Sequence, residues 1–270
     1  MCFYVNQFLS AKLGSFSEHL DFFKTLVYLK YELVPILINF ERDSITIKFF
    51  MIELLRKKIN FLLPAFFFFL AAGIILISIN KSDIHLFINH FHTPFFDWFF
   101  FIMTNLGSGF FALVVIFILM LFRYRYAFYT ALSFITSGFI VQVLKRTVFQ
   151  DIARPLVYFQ GSTNLYLIPG TEVNVLGSFP SGHATTAFAL CFCLSVILTK
   201  SCGKRFDLLL FFIALLVAFS RVYLSQHFFA DIYFGSFIGI LTAMVFYKYI
   251  FHLEKKWMDK SLFNLSPKKT

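Results

Sequence analysis

The chain has 270 residues, of which 59% are apolar, 43 are Phe and only 14% are charged, and its formal net charge is +10. Soluble domains run near half apolar and a quarter charged, so this composition excludes an ordinary soluble globule and predicts an all-α, polytopic membrane protein. Lys and Arg fall in short stretches between apolar runs and form no continuous stripe, which argues against a nucleic-acid surface and for lipid headgroups as the counterpart.

In chain order, residues 1–55 read as an N-terminal cytoplasmic, amphipathic segment. Lys24, Lys30, Glu32, Glu41, Arg42 and Asp43 interrupt every apolar stretch before it reaches spanning length. Residues 1–21 lack a basic stretch leading into an apolar core and a small-residue cleavage site, so insertion is expected to rely on internal spans. A second reading starts translation at Met51, because Met51-Ile52-Glu53, Arg56-Lys57-Lys58 and the long apolar run behind them look like the opening of a bacterial inner-membrane protein.

Six apolar runs follow, at about residues 61–79, 109–122, 127–144, 184–199, 208–223 and 232–250. A span needs about 20 apolar residues, and the shorter runs reach that by borrowing interfacial neighbours. The expectation is a six-transmembrane-helix bundle over residues 56–251 and a basic cytoplasmic tail over 252–270. Between the first two runs, residues 84–104 are rich in Phe but broken by His85, His90, His92, Pro94 and Asp97, which predicts an interfacial helix with a turn at Thr93-Pro94. Those histidines have no Cys or defined carboxylate company at ligand spacing, so they read as aromatic-flanked interfacial groups and not as a metal site. Cys2, Cys191, Cys193 and Cys202 show neither metal nor disulfide spacing and read as packing thiols.

Short-loop cations set the orientation. Arg56-Lys57-Lys58, Arg123 and Arg125, Lys200 with Lys204 and Arg205, and Lys248, Lys255, Lys256 and Lys260 all fall on one side of a six-span chain, predicting both termini in the cytoplasm. Lys145, Arg146, Arg154 and Arg221 break that bias on the opposite side, on the stretches that also carry His183 and His227. Cations and histidines gathered at membrane depth are costly unless they serve a site, and this set suits a phosphate.

Pro180-Ser181-Gly182-His183, and Ser220-Arg221 followed at fixed spacing by His227 and Asp231, resemble two signatures of the type 2 phosphatidic acid phosphatase (PAP2) superfamily. Its first signature, a Lys followed by Arg-Pro, is similar to Lys145 with Arg154-Pro155, but eight residues intervene where the family has six. Arg146 is one residue closer, so the identity of the first cation stays open between Lys145 and Arg146, with Lys145 favoured. If residues 145–149 continue the third span, Asp151-Ile152-Ala153 are expected to loop out before Arg154, which the following proline keeps out of the α region.

The resemblance covers about residues 95–249 and implies phosphoryl transfer, with Lys145, Arg154, Ser181, Gly182 and Arg221 binding phosphate. Arginine offers forked donors to two oxygens, and Gly182 leaves room for an oxyanion at a helix N-terminus. His227, four residues before Asp231 and oriented by it, would be the nucleophile that forms a phosphohistidine. His183 would protonate the leaving oxygen. No metal or cofactor is implied. The expected partner is a lipid phosphate in the bilayer of a bacterial inner membrane, cleaved at the periplasmic face, with an isoprenoid diphosphate, a lipid A phosphate, phosphatidylglycerol phosphate or phosphatidate as candidate substrates. Tyr158, Gln160, Asn164, Tyr166, Glu172 and Asn174, between the first two signatures, are candidates for headgroup recognition. Competing readings are a lipid phosphotransferase using the same site and, from another class, an anion transporter or channel, although no internal repeat supports the latter.

Overall fold

A computed structural model describes residues 52–161, 165–170 and 175–262. The chain divides into two compact units, residues 1–57 and 58–270. The readings placed on residues 1–50, including translation from Met51, lie outside the described residues.

The described part of the second unit is helical. Helices α1 (Ile59–Ser78), α2 (Lys81–Asn89) and α3 (Pro94–Met103) are followed by a 3-10 turn (Thr104–Gly107), α4 (Gly109–Phe122), α5 (Tyr124–Val143) with a π-helical turn (Leu144–Val148), and the single turn α6 (Pro155–Tyr158). Three long helices complete it: α7 (Gly182–Cys202), α8 (Lys204–Tyr223) and α9 (Phe229–His252). Five of these segments are long and apolar enough to cross a membrane, and the bent pair Pro94–Gly107 with Gly109–Phe122 brings the number to six.

The second span departs from the expectation. Residues 109–122 form only 14 residues of helix, about 21 Å at 1.5 Å per residue, against a hydrocarbon core of about 30 Å. Spanning length is reached when α3, which meets α4 at a bend of 55°, is counted with it. Residues 84–104 form two helices, α2 and α3, on either side of a turn, and α3 counts toward a span only as the bent partner of α4. The turn falls at Thr93-Pro94 as expected: the Thr93 hydroxyl accepts the Phe96 N–H at 3.3 Å, and Pro94 takes the first helical position, where its missing N–H costs nothing.

Helix α7 is the centre of the bundle, packed against α5, α8 and α9. Ala184, Ala187, Phe188, Ala189, Leu190, Phe192 and Cys193 are all buried along it. Its approach to α9 is set by Gly235 and Gly239, four residues apart on one face. A Cβ on Gly235 would meet the Ser181 carbonyl oxygen at 2.5 Å, and one on Gly239 the Thr185 carbonyl oxygen at 2.4 Å. Lipid supplies no hydrophobic drive between helices, so close backbone contact of this small-xxx-small kind is what holds two spans together. Phe66, Phe67, Leu70, Ile74 and Ile77 on α1 are exposed apolar residues in a spanning helix and face the acyl chains.

At one end of the bundle, buried Lys58 donates to the Ser195 carbonyl at 2.7 Å and lies 3.7 Å from buried Asp207, tying the start of α1 to α7 and α8. At the same end Arg125 donates to the Ile250 and Leu253 carbonyls at the close of α9 and forms a two-pronged pair with Asp259. The start of the expected basic tail is thus docked: the 3-10 turn Lys256–Asp259 folds back on α5, and the Lys260 carbonyl accepts the Tyr124 N–H at 2.9 Å.

Candidate active site

The sequence-predicted residues meet at the opposite end. Antiparallel packing of neighbouring helices brings the C-terminal ends of α5 and α8 beside the N-terminal ends of α7 and α9, so Lys145, His183, Arg221, His227 and Asp231 share one end of the bundle.

The loop between α8 and α9 is fixed by its own backbone. Arg221, in the last turn of α8, accepts from the amides of both Gln226 and His227 at 2.9 and 3.1 Å through its carbonyl. Ser225 sits at φ 52°, the left-handed region that a non-glycine residue rarely adopts. Two contacts from α2 hold its hydroxyl, His85 Nε2 at 3.2 Å and Asn89 Nδ2 at 3.3 Å. A locally unfavourable conformation thereby aims the next two side chains, Gln226 and His227, inward.

His227 is 2% exposed and its Nδ1 lies 3.2 Å from Asp231 Oδ2. That carboxylate oxygen also accepts the Phe228 N–H at 3.0 Å and a hydrogen bond from Ser178 Oγ. Held from three sides, Asp231 fixes His227 with Nδ1–H toward the acid, which leaves Nε2 without the proton. Burial, aided by the charges of Arg154 and Arg221, lowers the His227 pKa to about 3 against the opposing pull of Asp231. The imidazole is therefore neutral at physiological pH, as an attacking nitrogen must be.

Two guanidinium groups face this ring. Arg154 is extended at φ −78°, ψ 163°, as the following proline demands, and starts the single turn α6. Its N–H donates to the Val175 carbonyl, its Nε to the Leu176 carbonyl and its Nη1 to the Gln226 carbonyl at 3.1 Å. Burial pulls its pKa down, with Asp231 opposing, but a guanidinium stays charged at any physiological pH. Arg221 donates from Nη1 to Thr104 Oγ1 at 2.7 Å and from Nη2 to Gln226 Oε1 at 3.4 Å, while its buried Nε has no hydrogen-bond partner among the described residues. The same Gln226 oxygen takes a 3.4 Å contact from Arg154 Nη1. One neutral carbonyl thus stands between two cations, and the orphaned Nε marks where an anionic oxygen would be accepted.

Ser181 caps α7. Its side chain accepts the Ala184 N–H at 3.4 Å, and its own N–H is given to the Asp231 carbonyl at 2.9 Å, locking the start of α7 to the start of α9. The cap uses the Ser181 hydroxyl as an acceptor, which leaves its O–H to donate. The amides of Gly182 and His183, in the first turn, are left without intrahelical partners and form the anion-facing helix end. His183 feels the charges of Arg221, His227, Lys145 and Arg154, and Lys145 those of Arg154, Asp231 and Arg221, which places both in the same group. Of the two candidate first cations, Lys145 is partly buried and electrostatically tied to the site, whereas Arg146 is exposed. The two extra residues in this stretch are absorbed partly by the π-helical turn, closed by Phe149 N–H to the Leu144 carbonyl at 2.9 Å, and partly by the non-helical stretch before Arg154.

Sequence spacing does not single out Ser178, Gln226 or Thr104. The first two lie just outside or between the signature residues, and Thr104 lies on another span, so spacing carries no signal for them. Of the loop candidates, Tyr166 donates to Asp97, Tyr158 lies under the Lys81 ammonium at 4.3 Å, and Gln160 lines a cavity of about 550 Å³ with Leu156, Phe159, Leu165 and Val175. Asn164, Glu172 and Asn174 lie outside the described residues. His85 meets Ser225, and His92 meets Asp97 at 2.7 Å. Among the described residues no group of three or more His, Cys, Asp or Glu is arranged to hold a metal.

The PAP2 superfamily model matches residues 126–255. The crystal structure of Aquifex aeolicus LpxE is similar at 27% identity and a TM-score of 0.53, over 62% of this chain and 94% of that one. A transmembrane PAP2-type phosphatidylglycerolphosphate phosphatase from Bacillus subtilis is similar in fold at 24% identity and a TM-score of 0.53, over 72% of this chain and 98% of that one. No curated protein sequence matches significantly.

Proposed function

We propose that this chain is a membrane lipid phosphatase of the PAP2 superfamily, whose model matches residues 126–255, and that it cleaves a lipid phosphate monoester or diphosphate through a phosphohistidine at His227. The observation that carries the reading is the neutral, Asp231-oriented imidazole of His227 facing two buried guanidinium groups. Nε2 attacks phosphorus, the N–P bond forms as the P–O bond to the leaving group breaks, and His183, as the imidazolium formed when the bound phosphate brings its proton into the site, gives that proton to the departing oxygen. Water then attacks phosphorus, His183 takes a proton from it, and the N–P bond breaks to release inorganic phosphate. Lys145, Arg154, Arg221 and the amides of Gly182 and His183 meet the charge on the equatorial oxygens, so the reaction as proposed calls on no metal.

The substrate is a lipid because the site lies where spans end, which keeps the phosphate at headgroup level and the chains in the bilayer. The distribution of short-loop cations supports an extracytoplasmic site in a bacterial inner membrane. The candidates remain an isoprenoid diphosphate, a lipid A phosphate, phosphatidylglycerol phosphate and phosphatidate.

The test is phosphate release by purified full-length protein in detergent with each of these four lipids, alongside His227→Ala. Turnover of one class with loss of at least about 10³-fold in the variant is expected, together with an acid-labile phosphoenzyme in the wild type alone. Wild-type turnover by His227→Ala would refute the nucleophile, and phosphate passed to a second lipid without release would make the protein a transferase.

A further inference from the structure

The break in the second span lies outside the matched family region of residues 126–255, yet it reaches the site at two points. Helix α3 ends at Met103, the chain makes the 3-10 turn Thr104–Gly107, and Ser108 restarts helix by accepting the Phe111 N–H at 3.2 Å. Irregular backbone at membrane depth survives where it is buried in protein or lines a cavity. Here the turn touches two side-chain positions assigned to phosphoryl transfer. Thr104 Oγ1 accepts from Arg221 Nη1 at 2.7 Å, a shorter hydrogen bond than the 3.4 Å contact of Nη2 with Gln226. Gly107 is fully packed: a Cβ there would meet Val217 Cγ1 at 2.8 Å, the His183 carbonyl oxygen at 3.0 Å and His183 Cβ at 3.2 Å.

We propose that Thr104 and Gly107 are positioning residues of the active site: the broken second span holds the Arg221 guanidinium through the Thr104 hydroxyl and lets His183 approach by leaving Gly107 bare. The inference rests on the reading of Arg221 as a phosphate ligand and His183 as the proton donor. Among the described residues, Thr104 and Gln226 are the two acceptors that fix the Arg221 fork. Removal of the hydroxyl frees the half of the guanidinium nearest the broken span, and the donors then no longer wait in place for the phosphoryl oxygens. His183 sits in the first turn of α7, where a push on its backbone moves the imidazole relative to the leaving oxygen. An unbroken helix through residues 103–109 would lose the turn whose residues make both contacts.

Thr104→Val is nearly isosteric and deletes the acceptor, while Thr104→Ser keeps it. Expected for Thr104→Val is a fall of about 10- to 100-fold in kcat/KM, with most activity restored in Thr104→Ser. Gly107→Ala is expected to slow a poor alkoxide leaving group more than an activated aryl phosphate, because a displaced His183 matters only where the leaving oxygen needs its proton. The double variant Gly107→Ala/Val217→Ala removes the nearest clash but leaves the two with His183, so it should remain impaired; full recovery would reduce Gly107 to packing against Val217 and overturn its half of the proposal. Equal activity of Thr104→Val and wild type would overturn the other half and leave the phosphatase reading intact. Binding of inorganic phosphate, read as thermal stabilisation of full-length protein, gives a second measure independent of turnover. If wild type binds phosphate but turns over no lipid, the functional reading fails, and the Thr104 proposal stands only if Thr104→Val binds phosphate about 10-fold more weakly than Thr104→Ser.

Discussion

Gly235 connects helix packing to chemistry most directly. A Cβ at this position would lie 2.5 Å from the Ser181 carbonyl oxygen and 3.1 Å from Thr185 Oγ1. An ordinary carbon–oxygen contact is about 3.3 Å or more, so Gly235→Ala requires α7 and α9 to part locally by close to 1 Å. The atom that must yield is backbone, in the residue that caps α7 and gives its N–H to Asp231 at 2.9 Å. Separation therefore moves the Gly182 and His183 amides away from His227 and Asp231. A misplacement of about 1 Å costs on the order of 10²-fold in rate, while the gain in helix propensity from Gly to Ala is about 1 kcal/mol or less. Gly138→Ala is the matched control, because a Cβ there meets nothing within 4 Å. Phosphate release per folded molecule, with thermal unfolding of the same preparations, should fall about 100-fold in Gly235→Ala and stay at wild type in Gly138→Ala. Wild-type turnover in Gly235→Ala would refute the claim that the α7–α9 contact sets the site.

Ser178→Ala removes one of three donors to Asp231 Oδ2. Hydrogen bonds to a charged group are worth about 1.5–3 kcal/mol, so kcat should fall about 10- to 100-fold with a smaller change in KM, measured by steady-state phosphate release. Burial lowers the His85 pKa to about 4 from an ordinary 6.5. A histidine depressed in the fold binds fewer protons there than in the unfolded chain, so its contribution is full above pH 6.5 and is lost as pH falls from 6.5 toward 4, by at most about 3 kcal/mol. Thermal unfolding across that range should be steeper in wild type than in His85→Phe, and parallel profiles would show that His85 is not protonated against the fold. Opposing charge from Asp231 and like charge from His92 are the neighbours that act on it.

The parts of this molecule legible in the sequence are those fixed by local spacing. His227 and Asp231, four residues apart, do meet, but α9 starts only at Phe229, so the turn before the helix makes the contact and not a shared helix face; Pro155 had to keep Arg154 extended, and Arg154 is extended. The short second run is incompletely read from apolar length, because length alone does not reveal that α4 has only 14 residues of helix and meets α3 at a bend of 55°. Gln226 is invisible for another reason. It lies inside the spacer between Arg221 and His227, where any residue fits the pattern, and its place between two guanidinium groups depends on Arg154, which is 72 positions away. Gly235 and Gly239 carry a readable signal, four apart in a spanning run, that motif spacing around the histidines overshadows.

The cations expected to orient the chain have a second role that sequence counting merges with the first. Lys58 and Arg125 count as cytoplasmic charges in the sequence, but they are 5% and 7% exposed and face carboxylates and carbonyls, not lipid headgroups. The positive-inside bias acts while the chain inserts, before these partners exist, so burial afterwards does not weaken the orientation argument. It does separate stability from catalysis along the membrane normal. Arg125 satisfies the Ile250 and Leu253 carbonyls, at the end of α9 where backbone acceptors lose their intrahelical donors. Arg125→Met keeps the apolar stem, strands those acceptors and leaves Asp259 with a 3.7 Å neighbour in Arg123. Each stranded buried acceptor costs about 1–3 kcal/mol, so the variant should unfold at clearly lower temperature while each folded molecule releases phosphate at the wild-type rate, since His183, Arg221 and His227 lie at the other end. That is the reverse of the pattern expected for Gly235→Ala, and a loss of turnover in folded Arg125→Met equal to its loss of stability would mean the two ends do not act independently.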